Sequence, residues 1–103
     1  MKRLSFLFLT ISVLMVAACG ESTDVVESGT YQGTIKEVEL EKTEIYVTIS
    51  DNRTLELYFT ETTELTRNGQ PVDFSELMED QKVEVTVERN GKRLDPISVN
   101  IME

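Results

Sequence analysis

The sequence predicts an all-β domain with one short helix. Three observations lead to this fold class. Apolar and polar residues alternate along several segments after residue 30, turn-forming pairs separate those segments, and one brief stretch between them has the pattern of a helix. With 103 residues, the chain has room for one domain.

Two neighbouring segments predict a hairpin. Their inward residues, which alternate with polar ones, are Ile45, Val47, Ile49, Leu55, Leu57 and Phe59. Pairing Val47 with Leu57 brings all six side chains to one face of a sheet. This register leaves the three-residue loop Asp51-Asn52-Arg53 and sets Tyr46 opposite Tyr58 on the outward face.

Turn residues place the remaining elements. Asn68-Gly69 predicts a two-residue hairpin turn, and Asn90-Gly91 predicts a second one. Between them, Asp73 is expected to start a brief helix, because its side chain can cap free N–H groups and Glu76 lies three positions on.

The last strand changes parity along its length. Across an Asn90-Gly91 turn, Leu94 would pair with Val87, but the apolar residues from Ile97 onward have the opposite parity. We therefore expect a β-bulge at Asp95-Pro96, where the missing N–H of proline is tolerated.

The first strand, from Tyr31, shows a similar parity change between Ile35 and Val38, and Gly33 allows the bend that this requires. In chain order the main elements are three strands, a short helix and two strands. This is the layout of a five-stranded Greek-key barrel of the OB type. An open antiparallel meander capped by the short helix is the alternative.

Several of these motifs occur together in known domains. They are Tyr31-Gln32-Gly33-Thr34-Ile35, the run from Thr63 to Pro71, Phe74-Ser75-Glu76-Leu77 and Val83-Glu84-Val85. Most of residues 31–101 thereby resembles a class of secreted bacterial OB-like domains of unknown function. The resemblance implies the fold and carries no catalytic or binding residues. The class usually has a glycine before the fourth strand, where this chain has Glu79-Asp80-Gln81, so we expect Asp80 or a neighbour to adopt the left-handed turn conformation.

The N-terminus has the organisation of an export signal. Lys2 and Arg3 precede an apolar run of 15 residues, 4–18, which is shorter than the about 20 residues of a membrane-spanning helix. The run ends in Val16-Ala17-Ala18-Cys19, which resembles a bacterial lipobox and implies lipid attachment to Cys19. Ordinary signal cleavage, which would leave a lone thiol in an oxidising compartment, and an uncleaved membrane helix are the alternatives.

We therefore divide the chain into a signal peptide (1–18), a lipidated cysteine with a flexible tether (19–29) and the barrel (30–103). The lipid would hold the protein at the cell membrane or outer membrane, facing the periplasm or the outside. Loss of Lys2 and Arg3 would leave 19 acidic and eight basic side chains, a net charge of −11. Such a surface repels phosphate backbones, so we expect no nucleic-acid partner.

The residue inventory argues against catalysis and against the usual transition-metal sites. The chain has no histidine, and lipidation would consume its one cysteine. Triads and zinc or copper sites need such groups, and the mature chain has just two methionines, Met78 and Met102. We expect neither an enzyme nor a cofactor.

Calcium is the one metal with a candidate loop, between the first two strands. The acidic residues there are Glu37, Glu39, Glu41 and Glu44, and Lys42 lies among them. Oxygen ligands suit calcium, but the loop has no recognised ligand spacing, so we interpret it as a solvated charged loop and expect no metal site.

Tyr46 and Tyr58 are the candidate binding residues, because OB barrels bind ligands across the face that these strands form. They could stack on a sugar ring or receive a peptide, or they could simply stabilise the hairpin as a cross-strand pair. We expect a monomeric, non-catalytic binding or accessory module for a protein or saccharide. An acidic inhibitor or scavenger of a cationic protein or peptide is the alternative.

Overall fold

The computed structural model describes residues 23–102, which form one seven-stranded sheet. The strands are β1 (Gly29–Glu39), β2 (Glu44–Ile49), β3 (Arg53–Tyr58), β4 (Glu64–Arg67), β5 (Gln70–Pro71), β6 (Lys82–Asn90) and β7 (Arg93–Ile101). Short 3-10 turns lie at Leu40–Lys42, Ser50–Asn52 and Phe74–Glu76. Between residues 23 and 102 there is no helix with the length and apolar character needed to cross a membrane.

The strand order is β3-β2-β1-β6-β7-β4-β5. All pairs are antiparallel except β4 with β7, which is parallel. The chain that leaves β3 therefore crosses to β7 as β4, and β3, at one end of the sheet, packs near β7 without a direct hydrogen bond to it. This is a Greek-key, OB-like barrel, and the predicted fold class is confirmed. The meander alternative is wrong, because β1 pairs with β6 and β4 with β7.

Inward side chains of the long strands fill the barrel. The fully buried ones are Ile35, Ile45, Val47, Leu55, Leu57, Val83, Val85, Val99 and Ile101. Most of them are β-branched, as expected for strands packed on a half-buried surface. Phe59 and Phe74 extend this core beyond β3 with an edge-to-face contact, their ring centroids 5.0 Å apart.

The predicted register of β2 and β3 is wrong by two residues. Val47 pairs with Leu55 and not with Leu57. The turn is Ser50–Asn52, since Asp51 and Asn52 both adopt positive φ and Arg53 already belongs to β3. A two-residue shift keeps every inward side chain inward, so face matching alone could not exclude it.

The Asn68-Gly69 hairpin is confirmed. Arg67 pairs with Gln70, and both turn residues have positive φ, 52° and 86°, as a type I′ turn requires. This hairpin forms β4 and β5, which the five-strand prediction did not count as separate strands.

The last hairpin differs from its prediction in the position of the turn. Asn90 pairs with Arg93, so the two-residue loop is Gly91-Lys92. Val87 consequently pairs with Pro96, and the extra residue is Ile97, one position beyond the expected Asp95-Pro96. The predicted bulge is therefore present, but it lies one residue later than expected because the turn also lies one residue later.

The bends of β1 are confirmed, with a register shift between Ile35 and Glu37. Gly33 lies where β2 passes closest, and a Cβ there would overlap the carbonyl oxygen of Thr48 and lie 2.7 Å from Val47 Cγ1. The turn before β6 also agrees with its prediction. Asp80 adopts the left-handed conformation, with φ 74°, and its N–H donates to Ile35 O at 2.8 Å.

The short helix is a single 3-10 turn, Phe74–Glu76, and the predicted side-chain cap by Asp73 is absent. Instead, the side chain of Gln81, which is buried, forms hydrogen bonds with backbone groups at the C-terminal side of the turn. Its Oε1 accepts from Met78 N at 2.9 Å, and its Nε2 donates to Glu76 O at 3.0 Å. A side chain that follows the turn thus replaces the cap that the sequence predicted before it.

Residues 23–28 fall within the predicted tether, yet they contact the barrel. Asp24 N donates to Thr54 O at 2.7 Å, and Thr54 N donates to Asp24 Oδ2 at 3.0 Å. Val26 is buried in the core, and Ser28 Oγ accepts from Arg89 N. This segment therefore covers the β3 edge, which would otherwise present unpaired backbone groups.

Candidate functional site

The outward side of β2 and β3 carries the candidate site. Each strand contains the sequence Glu-x-Tyr: Glu44-Ile45-Tyr46 in β2 and Glu56-Leu57-Tyr58 in β3. Because Ile45 and Leu57 point into the core, the glutamates and tyrosines lie on the opposite, outward side. We call these four residues, Glu44, Tyr46, Glu56 and Tyr58, the acidic–aromatic face.

The antiparallel register arranges the four residues alternately. Glu44 pairs with Tyr58, and Tyr46 pairs with Glu56. Each glutamate therefore has a tyrosine across the strand and another two positions along its own strand. The predicted direct pair of Tyr46 and Tyr58 is wrong, because the two-residue register shift makes them diagonal neighbours with carboxylates between them.

The neighbouring strand β1 adds two further acids in register. Glu37 pairs with Tyr46, and Glu39 pairs with Glu44. The four acids that the sequence analysis assigned to one loop therefore lie on different elements. Glu37 and Glu39 belong to β1, Glu41 to the 3-10 turn and Glu44 to the start of β2. The described residues contain no group of three or more His, Cys, Asp or Glu side chains placed to hold a metal ion.

Glu44 is the most unusual residue of the face. Its exposed fraction is 0%, and neither of its carboxylate oxygens has a hydrogen-bond partner. Burial raises the pKa of this carboxyl, and the adjacent carboxyl of Glu56 raises it further, against a smaller opposing effect from the phenols of Tyr58 and Tyr46. A covered, unpartnered carboxylate costs stability unless something supplies donors to it.

The carboxylates of Glu44 and Glu56 also raise the pKa values of the two tyrosines. Burial raises the pKa of the half-buried Tyr46, and the carboxylates of Glu56 and Glu44 raise it further. A hydrogen-bonding interaction with Glu56, with smaller contributions from burial and the Glu44 charge, raises the pKa of Tyr58 to about 12. Both phenols therefore remain neutral donors at physiological pH, and Tyr58 is 47% exposed.

The N-terminal segment and the tip of the β6–β7 hairpin border the face. Thr23 Oγ1 donates to Glu56 Oε1 at 3.5 Å. A groove of about 100 Å³ lies beside it, between Glu56 and Tyr58 on one side and Lys92 and Arg93 on the other. Arg93 is already paired with Asp95 at 2.9 Å.

A larger groove lies elsewhere, between the β4–β5 hairpin and the 3-10 turn that follows it. It measures about 890 Å³ and is an open groove whose apolar lining comes from Phe59, Leu65, Val72 and Phe74. Its polar lining consists of scattered threonines and exposed acids, with no buried polar group aimed into it. We therefore favour the acidic–aromatic face, where the polar groups converge.

Sequence reasoning selected the two tyrosines and missed Glu44 and Glu56 as members of one cluster. The repeated Glu-x-Tyr was the available signal, since any antiparallel pairing that places both copies outward brings them together. Met78 and Met102, the methionines within residues 23–102, are both exposed. The other predicted site residue, Cys19, lies outside the described residues, as does the signal peptide.

No protein-family model matches this chain, and no curated protein matches it in sequence. Solved structures do match. A structure of Escherichia coli CusF with Ag(I) superposes with a TM-score of 0.59 at 13% identity, covering 77% of this chain and 96% of that one. Another structure, Ag(I)CusF, gives a TM-score of 0.56 at 14% identity, covering 71% and 95%. Apo-CusF from Escherichia coli gives 0.57 at 13% identity, covering 75% and 89%.

At this level of identity, the likeness supports the OB-like barrel and does not extend to the ligand. Ag(I) prefers soft thioether, thiolate or imidazole donors. This chain has no histidine, and its described methionines are two exposed side chains. Residues 23–102 therefore do not supply a donor set that fits such a metal.

Proposed function

We propose that this chain is a lipid-anchored, non-catalytic binding module of the bacterial cell envelope that binds its partner with the acidic–aromatic face. The main support is the position of that face. Two tyrosines and an unpartnered, covered glutamate lie together on β2 and β3, on the side of the barrel that OB folds use for ligands.

A binding role suits the chemistry better than catalysis. The chain has no histidine, and none of the described residues is a cysteine that could act as a nucleophile. The face offers carboxylates, neutral phenols and aromatic rings, which recognise donors and flat or cationic groups.

The predicted anchor would keep the face near a membrane. Thr23 contacts Glu56, and its Cα can lie at most about 14 Å from that of Cys19, four residues earlier. A lipid on Cys19 would thus hold the acidic–aromatic face close to the bilayer. Partners embedded in or adsorbed to the same membrane would meet it at high local concentration.

A second candidate function is capture of a cationic protein or peptide by overall charge. The net charge of −11 expected for the mature chain supports it. Binding by overall charge does not depend on a particular face of the barrel, whereas the first proposed function depends on Tyr46 and Tyr58.

Capture from envelope extracts tests both functions. The full chain, purified in neutral detergent, would be compared with the double variant Tyr46→Ala, Tyr58→Ala and with a control, Met78→Ala, Met102→Ala, which trims two exposed side chains elsewhere. We expect the tyrosine double variant to lose the partner and the control to keep it. Undiminished capture by the tyrosine variant would contradict binding through the face.

Salt separates the two candidates in the same assay. Binding by overall charge should fade steeply between about 0.05 M and about 0.3 M salt, because exposed charges are screened. Binding that depends on the tyrosine rings should persist over that range.

A further inference from the structure

We infer that the acidic–aromatic face takes a guanidinium group, as carried by an arginine side chain exposed on a polypeptide; this inference rests on the proposed function. The OB-like fold alone does not indicate which chemical group the face binds.

The phenols of Tyr46 and Tyr58 are neighbours of Glu44, but no donor lies within hydrogen-bond distance of its covered carboxylate. Both oxygens of Glu44 are covered and without a partner, and the like-charged Glu56 is its diagonal neighbour. The ion pairs Arg67–Glu76 and Arg89–Glu27 lie elsewhere on the described barrel, and Arg93, which borders the face, is already paired with Asp95. A cation from outside would supply the missing donors and relieve the repulsion between the two carboxylates.

The arrangement suits a flat cation with several donors. Diagonal neighbours across two antiparallel strands have Cα atoms about 7–8 Å apart, which leaves room for a guanidinium between the carboxylates of Glu44 and Glu56. Guanidinium carries five N–H donors in one plane and stacks on aromatic rings, and here Tyr46 and Tyr58 occupy the other diagonal. A metal ion would need more ligands close together than the described acids provide.

The ligand would enter past Tyr58. This side chain is 47% exposed and lies directly across the strand pair from the covered Glu44. An incoming guanidinium would meet the Tyr58 ring and Glu56 first and would reach Glu44 when the Tyr58 side chain turns aside. Rotation of an exposed tyrosine is fast compared with binding.

Lys92 is an internal competitor that borders the face. It lies at the tip of the β6–β7 hairpin and lines the groove beside Glu56 and Tyr58. Its ammonium is a compact point charge on a flexible stem, which cannot bridge two carboxylates in a plane as guanidinium does. Replacement by Lys92→Gln would therefore leave the site intact and remove a rim charge that repels the ligand.

The test uses a matched pair of small probes and a matched pair of variants. The full chain in neutral detergent would be titrated with N-acetyl-arginine amide and with N-acetyl-citrulline amide, which has nearly the same shape and no charge. Amide NMR shifts would report the affinity. The variants are Glu44→Gln and Glu61→Gln, which remove the same charge from the face and from an exposed loop.

We expect the arginine amide to bind, the citrulline amide to bind at least about tenfold more weakly, and Glu44→Gln to weaken arginine binding about tenfold, the worth of a charged hydrogen bond. Glu61→Gln should change the affinity less than about twofold. Glu56→Gln should resemble Glu44→Gln, which provides a second reading if one variant is poorly folded.

Three results would overturn the inference: equal binding of both probes, equal weakening by Glu44→Gln and Glu61→Gln, or no arginine binding to the wild-type chain. In the last case, tyrosine-dependent capture of an envelope partner would leave the proposed function standing. Loss of that capture as well would remove both.

Discussion

At the scale of single residues, the acidic–aromatic face contains an energetically unfavourable group, the covered carboxylate of Glu44. Glu44 is covered by neighbours on the sheet and has no hydrogen-bond partner, although water is the ordinary environment of a carboxylate on an outward strand face. Natural sequences tolerate such a cost mainly at functional sites. This residue, rather than either tyrosine, therefore carries most of the information about what the face binds.

Replacement of Glu44 by glutamine should change how stability depends on pH. The folded-state pKa of Glu44 is raised above its usual 4.5, so the folded protein binds this proton more tightly than the unfolded chain does. Stability from this group is complete below pH 4.5 and is lost as pH rises through the folded pKa. The groups that face it are Glu39 on β1, Tyr46 on β2, and Glu56 and Tyr58 on β3.

Urea unfolding of the wild type and of Glu44→Gln over a pH series checks this prediction. The variant should gain stability relative to the wild type as pH rises above 4.5, and Glu61→Gln should show no such gain. A difference between wild type and Glu44→Gln that stays constant with pH would contradict a penalised carboxylate.

Gly33 permits the close approach of β1 and β2. We expect Gly33→Ala to destabilise the protein by about 1–3 kcal/mol, because its Cβ would overlap a backbone carbonyl that cannot move aside without distorting β2. The control is Gly69→Asn, at a turn position with φ 86° and open space around it, where asparagine is tolerated. Chemical denaturation measures both, and equal losses would contradict the close-contact explanation.

At the scale of secondary-structure elements, the β3 edge depends on a segment that does not look like part of the fold. Residues 23–28 are mostly polar and show no sustained periodicity, yet they pair with Thr54 and bury Val26 in the core. The segment covers an edge strand where β3 and β7 lack direct hydrogen bonds.

Two adjacent valines test this role of the segment. Val26 is buried and Val25 is 39% exposed, so Val26→Ala should cost about 1–3 kcal/mol of unfolding free energy and Val25→Ala less than about 0.5 kcal/mol. Thermal or urea unfolding measures the difference. Equal, small effects would mean that the segment is detached from the barrel in solution.

The same elements show how far sequence reasoning reaches. Alternation identified β2, β3, β6 and β7 and their inward faces except at Ile97, which is the bulged residue and is 46% exposed, and Asn68-Gly69 fixed a turn by its need for positive φ. Alternation has a period of two residues, so it could not decide between registers that differ by two. The resulting error at Asp51-Asn52 paired the tyrosines directly and hid the alternating Glu-x-Tyr arrangement. The burial of Val26 was not predicted, because a single buried residue produces no alternation of apolar and polar residues.

At the scale of the whole molecule, an acidic barrel is predicted to sit on a short chain beside a membrane. Its negative charge would keep it off anionic lipids, and the anchor would keep it close to them. A cation-binding face in that position would act on partners that the membrane itself concentrates.

The anchor is tested by Cys19→Ala. We expect the wild-type chain to incorporate fatty acid and to fractionate with membranes, and the variant to do neither, because two or more acyl chains are what make attachment stable. Metabolic labelling with fractionation measures both properties. Continued labelling and membrane retention of the variant would contradict lipidation at this residue.

The most direct test of the acidic–aromatic face is photo-cross-linking in cells that carry the full chain. A photoactivatable phenylalanine would replace Tyr58 on the face and, in a control strain, Gln32, which is exposed on β1. The proposed function predicts a discrete cross-linked partner from position 58 and none from position 32. No adduct from position 58, or the same adduct from both positions, would contradict it.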